Sequence, residues 1–529
     1  MQSVAATKLE SFDNQSLINY IKKLETDNLQ LREYQYKYLE LKERYDLLIY
    51  KRFARSAEEL LKDSKQPSLF PEEPEQTSLV ANDPQETDPE KQEIISYTRK
   101  KRGRKPIDPK LPRKEELIDI PESEKICACG AQMTKIGEET SEKLEIIPQS
   151  IFVRKTIRPK YACLSCEGTQ DEDKPAVKIA PVPVSIIPRS IASASLLSYI
   201  MIQKYQDHLP YHRQETQFQR FGIGISRQDM SNWQQQVFGK LIPLFSLMKN
   251  TVKSGPVIRM DETTVQVMGE EGRTDIQKSY MWLARGGPPE KTVVYYEYHP
   301  TRRADNARGF LEGYKGFLQT DGYEGYDAAV KELPGILHVG CFAHARRKFF
   351  EAAKVTKTPQ SAEEGMKYIR KLYEIENSLR DELESRNKTE SEFLDERRKQ
   401  AEPVLSAFKV WLNKRANEVL PSAQLGKAVA YTLRQWGKLI AYLQSPYLTP
   451  DNNASENAIR PFVLGRKNWL FNKSPAGAES SCGMYSLIET AKQNGIEPLR
   501  YLRTLFEKAP HAGSAEDWEK LLPWNIFKS

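Results

Sequence analysis

Apolar residues recur every seven positions near the start of the chain: Leu17, Leu24, Leu31, Tyr38 and Tyr45, with Ile21 and Asn28 on the second seam position. This spacing predicts one long helix over residues 10–62. A leucine-zipper-like pattern with a buried Asn favours a dimeric coiled coil of defined register. Polar Gln35 and Lys42 then interrupt the seam, so a solitary amphipathic helix packed on the body of the protein fits the pattern as well. Periodicity vanishes over 63–98, which is rich in Pro, Glu, Asp, Gln and Ser and reads as a disordered acidic linker. It returns in helical form over 190–245, where Tyr199–Tyr205 and Arg213–Phe221 are amphipathic. There Gly222-Ile223-Gly224-Ile225 makes a turn, and Ser226 caps a further helix with Asp229 as reciprocal partner.

From residue 256 the period becomes that of a strand. Apolar strand candidates are 256–267, 279–285, 292–298, 316–321 and 335–340, with helices near 303–314 and 324–333 and again from about 343. Three consecutive strands followed by helical crossovers predict a mixed sheet with helices on its faces. This element order is that of the ribonuclease H-like α/β fold. A charged helical insertion at about 355–448, including Ala362–Arg398, interrupts it before Asn453–Arg460 brings the chain back, in a short helix start closed off by Pro461.

At 529 residues the chain is expected to be multidomain. The expected order is the coiled-coil helix (10–62), the acidic linker (63–98), a basic arm (99–110), a small β module (111–185) and a helix-turn-helix-like region (186–250). The catalytic-type core with its insertion (251–475) and a helical C-terminus (476–529) complete it. Hydrophobic content of 39% and charged content of 29% suit a globular protein, and the net charge is only +7. No apolar run is long enough to span a bilayer and no signal pattern opens the chain, so a cytoplasmic protein without membrane contact is expected. In that compartment the six cysteines favour metal or free thiols over disulfides.

Charge distribution and spacing then point to chemistry. Arg99–Pro106, with Arg102, Arg104 and Lys105, reads either as an AT-hook-like arm for a narrow minor groove or as a basic tether on phosphates. Cys127 and Cys129 with Cys163 and Cys166 form two knuckles suited to a structural Zn²⁺, though the first pair is one residue short; four free cysteines are the alternative. The helix after Ser226 presents Arg227, Gln228 and Asn232, side chains suited to DNA if this is a helix-turn-helix rather than an ordinary helical hairpin. Asp261 on the first strand, Asp321 at the end of the fourth and Glu456 at a helix start are three carboxylates that a sheet can gather. Clustered carboxylates bind hard divalent ions such as Mg²⁺ or Mn²⁺, and two such ions support phosphodiester chemistry. Taken singly, Asp261 is a strand residue, Asp321 a turn-former and Glu456 a helix cap of Asn453. Arg460, Arg466 and Lys467 beside Glu456 suit charge-assisted phosphate contacts, and Arg346, Arg347 and Lys348 follow His344 as supporting groups. Cys341-x-x-His344 hints at zinc with only His338 as a third ligand, and His344 is read instead as a supporting or phosphate-contacting group. Tyr323, Tyr326 and Trp469 either stack on unpaired bases or pack in the core.

Several blocks resemble the transposases of the insertion-sequence-66 family: Met260–Thr263, Gln319–Tyr323, Cys341–Phe349 and Asn452–Pro461, with Ser486–Gly495 near the end. The zipper, the Gly103–Pro106 arm and the cysteine module match that layout too. The resemblance implies a bacterial DDE transposase with Asp261, Asp321 and Glu456 as its two-metal triad. It further implies binding of terminal inverted repeats, cleavage that frees a 3′-hydroxyl, attack of that hydroxyl on target DNA, and accessory proteins from the same element. A DNA-binding regulator with a dead core and a structure-selective nuclease on the same fold are the competing readings.

Overall fold

The computed structural model describes residues 14–53, 151–162, 177–179, 181–355, 359–385 and 388–528. The acidic linker, the basic arm with Arg102, Arg104 and Lys105, and Cys127, Cys129, Cys163 and Cys166 lie outside the described residues. The chain divides into two units, one formed by 1–72 with 183–529 and the other by 73–182. In the smaller unit β1 (Lys160–Ala162) and β2 (Val177–Ile179) pair antiparallel. Within the expected β module, 151–159 forms no regular element. Its apolar Phe152, Val153 and Ile157 are exposed.

In the larger unit the first helix, α1 (Asn14–Phe53), runs through the heptad segment; the rest of the expected 10–62 lies outside the described residues. Its C-terminal part lies on the body, with Tyr50 edge-on to Phe350 and Glu43 accepting from the backbone N–H of Gln424 at 2.9 Å. The seam residues Ile21, Leu24, Leu31, Tyr38 and Tyr45 remain exposed. Four helices follow: α2 (Ala194–Tyr205), α3 (Tyr211–Arg220), α4 (Arg227–Lys240) and α5 (Ile242–Lys253). The expected cap is present at α4, where Ser226 and Asp229 bond reciprocally.

The sheet begins with β3 (Val257–Val267), β4 (Lys278–Gly286) and β5 (Val293–His299), an antiparallel meander. Next come α6 (Ala304–Leu311), β6 (Gly316–Gln319), α7 (Glu324–Lys331) and β7 (Ile336–Val339). Strand order is β5-β4-β3-β6-β7, with β6 and β7 parallel to β3, so the sheet is mixed as expected. At the β5 edge the backbone is satisfied by a helix rather than a strand. The N–H groups of Val294 and Tyr296 donate to the hydroxyls of Thr490 and Ser486 at 3.1 and 2.9 Å.

The insertion is a second core. After α8 (Phe342–Val355) it comprises α9 (Pro359–Glu384), α10 (Glu390–Glu418), α11 (Gln424–Arg434) and α12 (Trp436–Ile440), and α8 packs with them. The stretch read as one helix over Ala362–Arg398 is broken near 388, where Thr389 and Glu392 form a capping box that starts α10. Phe342, Phe349, Phe408, Trp411, Leu425 and Val429 cluster there beneath the charged faces. Inside it Arg397 is fully buried, paired with Glu376 at 2.7 Å and donating to the carbonyls of Tyr442, Ser445 and Leu448.

After the insertion come α13 (Asn453–Trp469), the two-residue β8 (Phe471–Asn472), α14 (Pro475–Gln493), α15 (Pro498–Lys508) and α16 (Ala515–Lys520). Pro461 does not end the helix as expected but sits inside α13, removing one N–H while packing carries the helix on. Residues Ser480–Ala491 of α14 are buried all round, so this C-terminal helix runs through the core rather than over it.

Replacing Arg397 by Met should destabilise the protein by about 3 kcal/mol or more, because Glu376 and three carbonyls lose a buried partner. The check is the urea midpoint of the variant against the wild type.

Candidate active site

The parallel register places two of the acids. Arg259 of β3 pairs with Gln319 of β6 as the last matched residues, and Asp261 and Asp321 each lie two residues beyond. Adjacent strands are roughly 4.8 Å apart, so the two aspartates leave neighbouring strands at corresponding positions. β3 has no strand partner on that side until β8 joins at Gln266. The gap is filled by α13 and the loop before it. Asn452 Nδ2 donates to the carbonyl of Met260 at 3.0 Å, and Arg466 bonds the carbonyl of Thr264 and the hydroxyls of Thr263 and Thr264. Glu456 sits on the first turn of α13.

Arg259 and Gln319 hold the loop that leads there. Arg259 donates to Gln319 at 3.0 Å and to the carbonyl of Tyr447 at 2.8 Å, and Gln319 donates to the carbonyl of Thr449 at 2.7 Å. Arg380 adds bonds to the carbonyls of Pro446 and Leu448.

Burial raises the Asp261 carboxyl well above the ordinary range, and the charges of Glu262, Glu456 and Asp321 raise it further. One Asp261 oxygen accepts the N–H of Glu262 at 2.8 Å, and Asp321 accepts that of Tyr323 at 2.9 Å. Asp321 is therefore a turn-former as well as a member of the charged group. Gly322 allows this turn, since a Cβ there would lie 2.5 Å from the hydroxyl of Tyr431. Glu456 makes no cap bond to Asn453; Asp451 accepts the Asn453 N–H instead, at 3.1 Å.

Other expected residues fall in varied places. His344 Nδ1 lies 3.8 Å from Glu456 Oε1, and the exposed Arg347 lies 4.0 Å from Oε2. Arg346 is partly buried, and burial lowers its guanidinium, with Tyr373 and Arg370 of α9 acting on its charge in opposite senses. Lys467 is exposed and Arg460 partly so. His338 is no third ligand, for its ring bonds Thr320 and Asp327 at 2.8 Å each. Tyr326 is fully buried and bonds Glu262, which excludes base stacking in this conformation. Tyr323 lies under the guanidinium of Arg302, and Trp469 packs edge-on to Tyr205. Arg227, Gln228 and Asn232 are exposed on α4, with Gln228 bonded to Asn232 and Arg227 near Glu215. Sequence reasoning missed Glu262, which adjoins Asp261, and Asn452, which opens the block containing Glu456; it read Arg466 as a phosphate contact, whereas that guanidinium is committed to Thr263 and Thr264.

Comparison with known proteins follows this geometry. A family model described as the transposase IS66 family matches residues 189–480, more than half of the chain. The chain belongs to the IS66 family of transposases. The family's C-terminal element matches 486–524, and the zinc-finger binding domain of transposase IS66 matches 124–167, which supports zinc binding by that segment. A fourth model, transposase C of IS166 homeodomain, matches 40–115. Among relatives in Sinorhizobium fredii (strain NBRC 101917 / NGR234), uncharacterized protein y4jD is 30% identical over 78% of this chain and 80% of its own length. Uncharacterized protein y4qI is 32% identical over 80% of this chain and 78% of its own length. No helix among the described residues is long and apolar enough to cross a membrane.

The crowding of acids has a cost in the metal-free protein. Because the Asp261 carboxyl is raised, its stabilising contribution holds at low pH and is lost as pH rises through its folded value. Asp261→Asn should therefore raise metal-free stability at neutral pH, because it removes a charge that burial and three acidic neighbours disfavour. The gain should shrink on acidification. Unfolding curves in Mg²⁺-free buffer at several pH values measure it.

Proposed function

We propose that this IS66-family transposase works by DDE chemistry on a ribonuclease H-like core, with Asp261, Asp321 and Glu456 as the catalytic triad. The observation that carries the reading is the joint action of Asp321 and Glu456 on the Asp261 carboxyl, at the end of the parallel strands where the sheet changes from antiparallel to parallel. Such switch points are where open sheets bind ligands. A cluster of carboxylate oxygens fits Mg²⁺ or Mn²⁺, and its mutual repulsion is relieved by cation charge. When bound, two such ions supply Lewis-acid activation of the attacking oxygen and charge stabilisation at the leaving oxygen.

The protein's own groups set the frame. Asn452 and Arg466 fasten α13 to β3 and thereby fix Glu456 relative to Asp261. Arg347 is exposed beside Glu456, and Lys467 and Arg460 lie further along α13; these cations suit the phosphates of a DNA strand. Arg227, Gln228 and Asn232 on α4 are free of the core and suit DNA contact. The substrates are the element's terminal inverted repeats and then target DNA, with the basic arm at 99–110 adding phosphate or minor-groove contacts. The exposed seam of α1 supports a homo-oligomer through a coiled coil, and accessory proteins of the same element remain possible partners in this scheme.

Asp261→Asn should abolish Mg²⁺-dependent joining of pre-cleaved element ends, a loss of at least a thousandfold, while end binding stays within a few-fold of wild type. Gel assays of joining and of mobility shift test both. Unchanged joining would end the enzyme reading, and cleavage without joining would favour a structure-selective nuclease. Deleting residues 1–62 should lower the mass measured by light scattering, and an unchanged oligomer would refute the coiled coil.

A further inference from the structure

We propose that Cys341, His344 and Glu456 form a three-ligand site for a zinc-class transition-metal ion, sharing Glu456 with the hard-cation triad. The inference rests on the DDE reading only for that sharing; the site itself stands on geometry. Sγ of Cys341, a ring nitrogen of His344 and a carboxylate oxygen of Glu456 all lie within 4.8 Å of one another. In a tetrahedral zinc site, bonds of about 2.0–2.3 Å put ligand atoms roughly 3.3–3.7 Å apart. A closure of about 1 Å completes the arrangement, within reach of side-chain rotation at His344 and Glu456.

The three donors come from parts of the fold that are held together independently. Cys341 follows β7, His344 lies on the first turn of α8 and Glu456 on the first turn of α13. The N–H of Phe342 donates to the carbonyl of Pro450 at 2.9 Å, and that of Asn452 donates to Cys341 Sγ at 3.2 Å. The two helix starts are thus tied to each other around the cluster.

Unfilled bonding capacity gives a second line. His344 Nδ1 and Glu456 Oε1 are buried, 3.8 Å apart, and neither has a hydrogen-bond partner. Leaving two such groups unpaired is unfavourable, and a cation between them satisfies both. The sulfur, in turn, accepts the backbone N–H of Asn452 at 3.2 Å, which holds it in place beside the other two donors. Burial, with Glu456 and Asp451 nearby, keeps the thiol protonated in the ion's absence, and ligation would remove that proton.

The donor set decides the class of ion. Mg²⁺ and Ca²⁺ take oxygen ligands, whereas thiolate and imidazole together select zinc-like ions. Three protein ligands leave a fourth position open, as in catalytic rather than structural zinc sites. Arg347, exposed and 4.0 Å from the other Glu456 oxygen, makes an anionic oxygen such as that of a phosphate a suitable fourth ligand.

The test uses the full chain loaded with Co²⁺ in place of zinc, without DNA or Mg²⁺. Wild type, Cys341→Ser, His344→Gln and Asp261→Asn are compared for bound metal per chain and for sulfur-to-cobalt charge-transfer absorption. Cys341→Ser and His344→Gln should each bind one ion fewer than wild type. Cys341→Ser should also lose part of the charge-transfer band, and Asp261→Asn should keep the wild-type count. His344 is partly exposed, so His344→Gln carries the test if the buried serine disturbs folding, which circular dichroism reports. Equal metal counts in wild type and both variants overturn the site. That result leaves the DDE reading standing if Asp261→Asn still fails to join DNA ends. Normal joining by Asp261→Asn, with one ion lost in Cys341→Ser, removes the DDE reading and keeps the site.

Discussion

Three guanidinium groups converge on the carbonyls of one loop, and the candidate active site depends on that capture. Arg259 from the sheet, Arg380 from α9 and Arg397 from α10 between them bond the carbonyls of Tyr442, Ser445, Pro446, Tyr447 and Leu448. This loop ends the helical insertion and hands the chain to Asn452 and Glu456. Backbone carbonyls without partners in such a place would be costly, and arginine, with five donors and a weakly hydrated charge, suits the task better than lysine. Burial lowers Arg259 chiefly, with Arg285 and Arg380 adding repulsion, yet its pKa of about 9 leaves it charged at neutral pH. An insertion of nearly a hundred residues can thus sit between the second and third acids without loosening the third.

The sheet was legible because its signal is local. Alternating Val257–Val265 and the apolar runs that follow announce strands, and the observed ends differ from the expected ones by one or two residues. Asp261 and Asp321 could be placed from strand order alone. What could not be read depends on pairs far apart in the chain. Arg259 and Tyr447, Asn452 and Met260, and Cys341 and Glu456 carry no mark of each other in sequence. The second core was hidden for another reason: α9 and α10 are rich in charge, and their buried Phe393, Phe408 and Trp411 are diluted among Glu, Arg and Lys. Pro461 misled because a proline normally closes a helix, and here burial of Ile459 and Phe462 on either side holds α13 continuous. Arg346 and Arg347 could not be told apart by type, only by which face of α8 each occupies.

Electrostatics of the site pull against stability. Glu262 is neutralised by Arg302 and Tyr326 on its own side, while Asp261 has three acidic neighbours and only a backbone N–H in return. Folding therefore stores repulsion at Asp261, which the proposed cations would relieve. Rigid fastening by Asn452 and Arg466 keeps the group from relaxing apart, as a preorganised site requires.

The hydroxyls of Ser486 and Thr490 lie against the outer side of β5, and they turn a reactive border into a finished one. An open strand invites any passing strand to extend it, whether from a sister molecule or a misfolded one. With α14 threaded through the core and seated there, the sheet cannot grow on that flank.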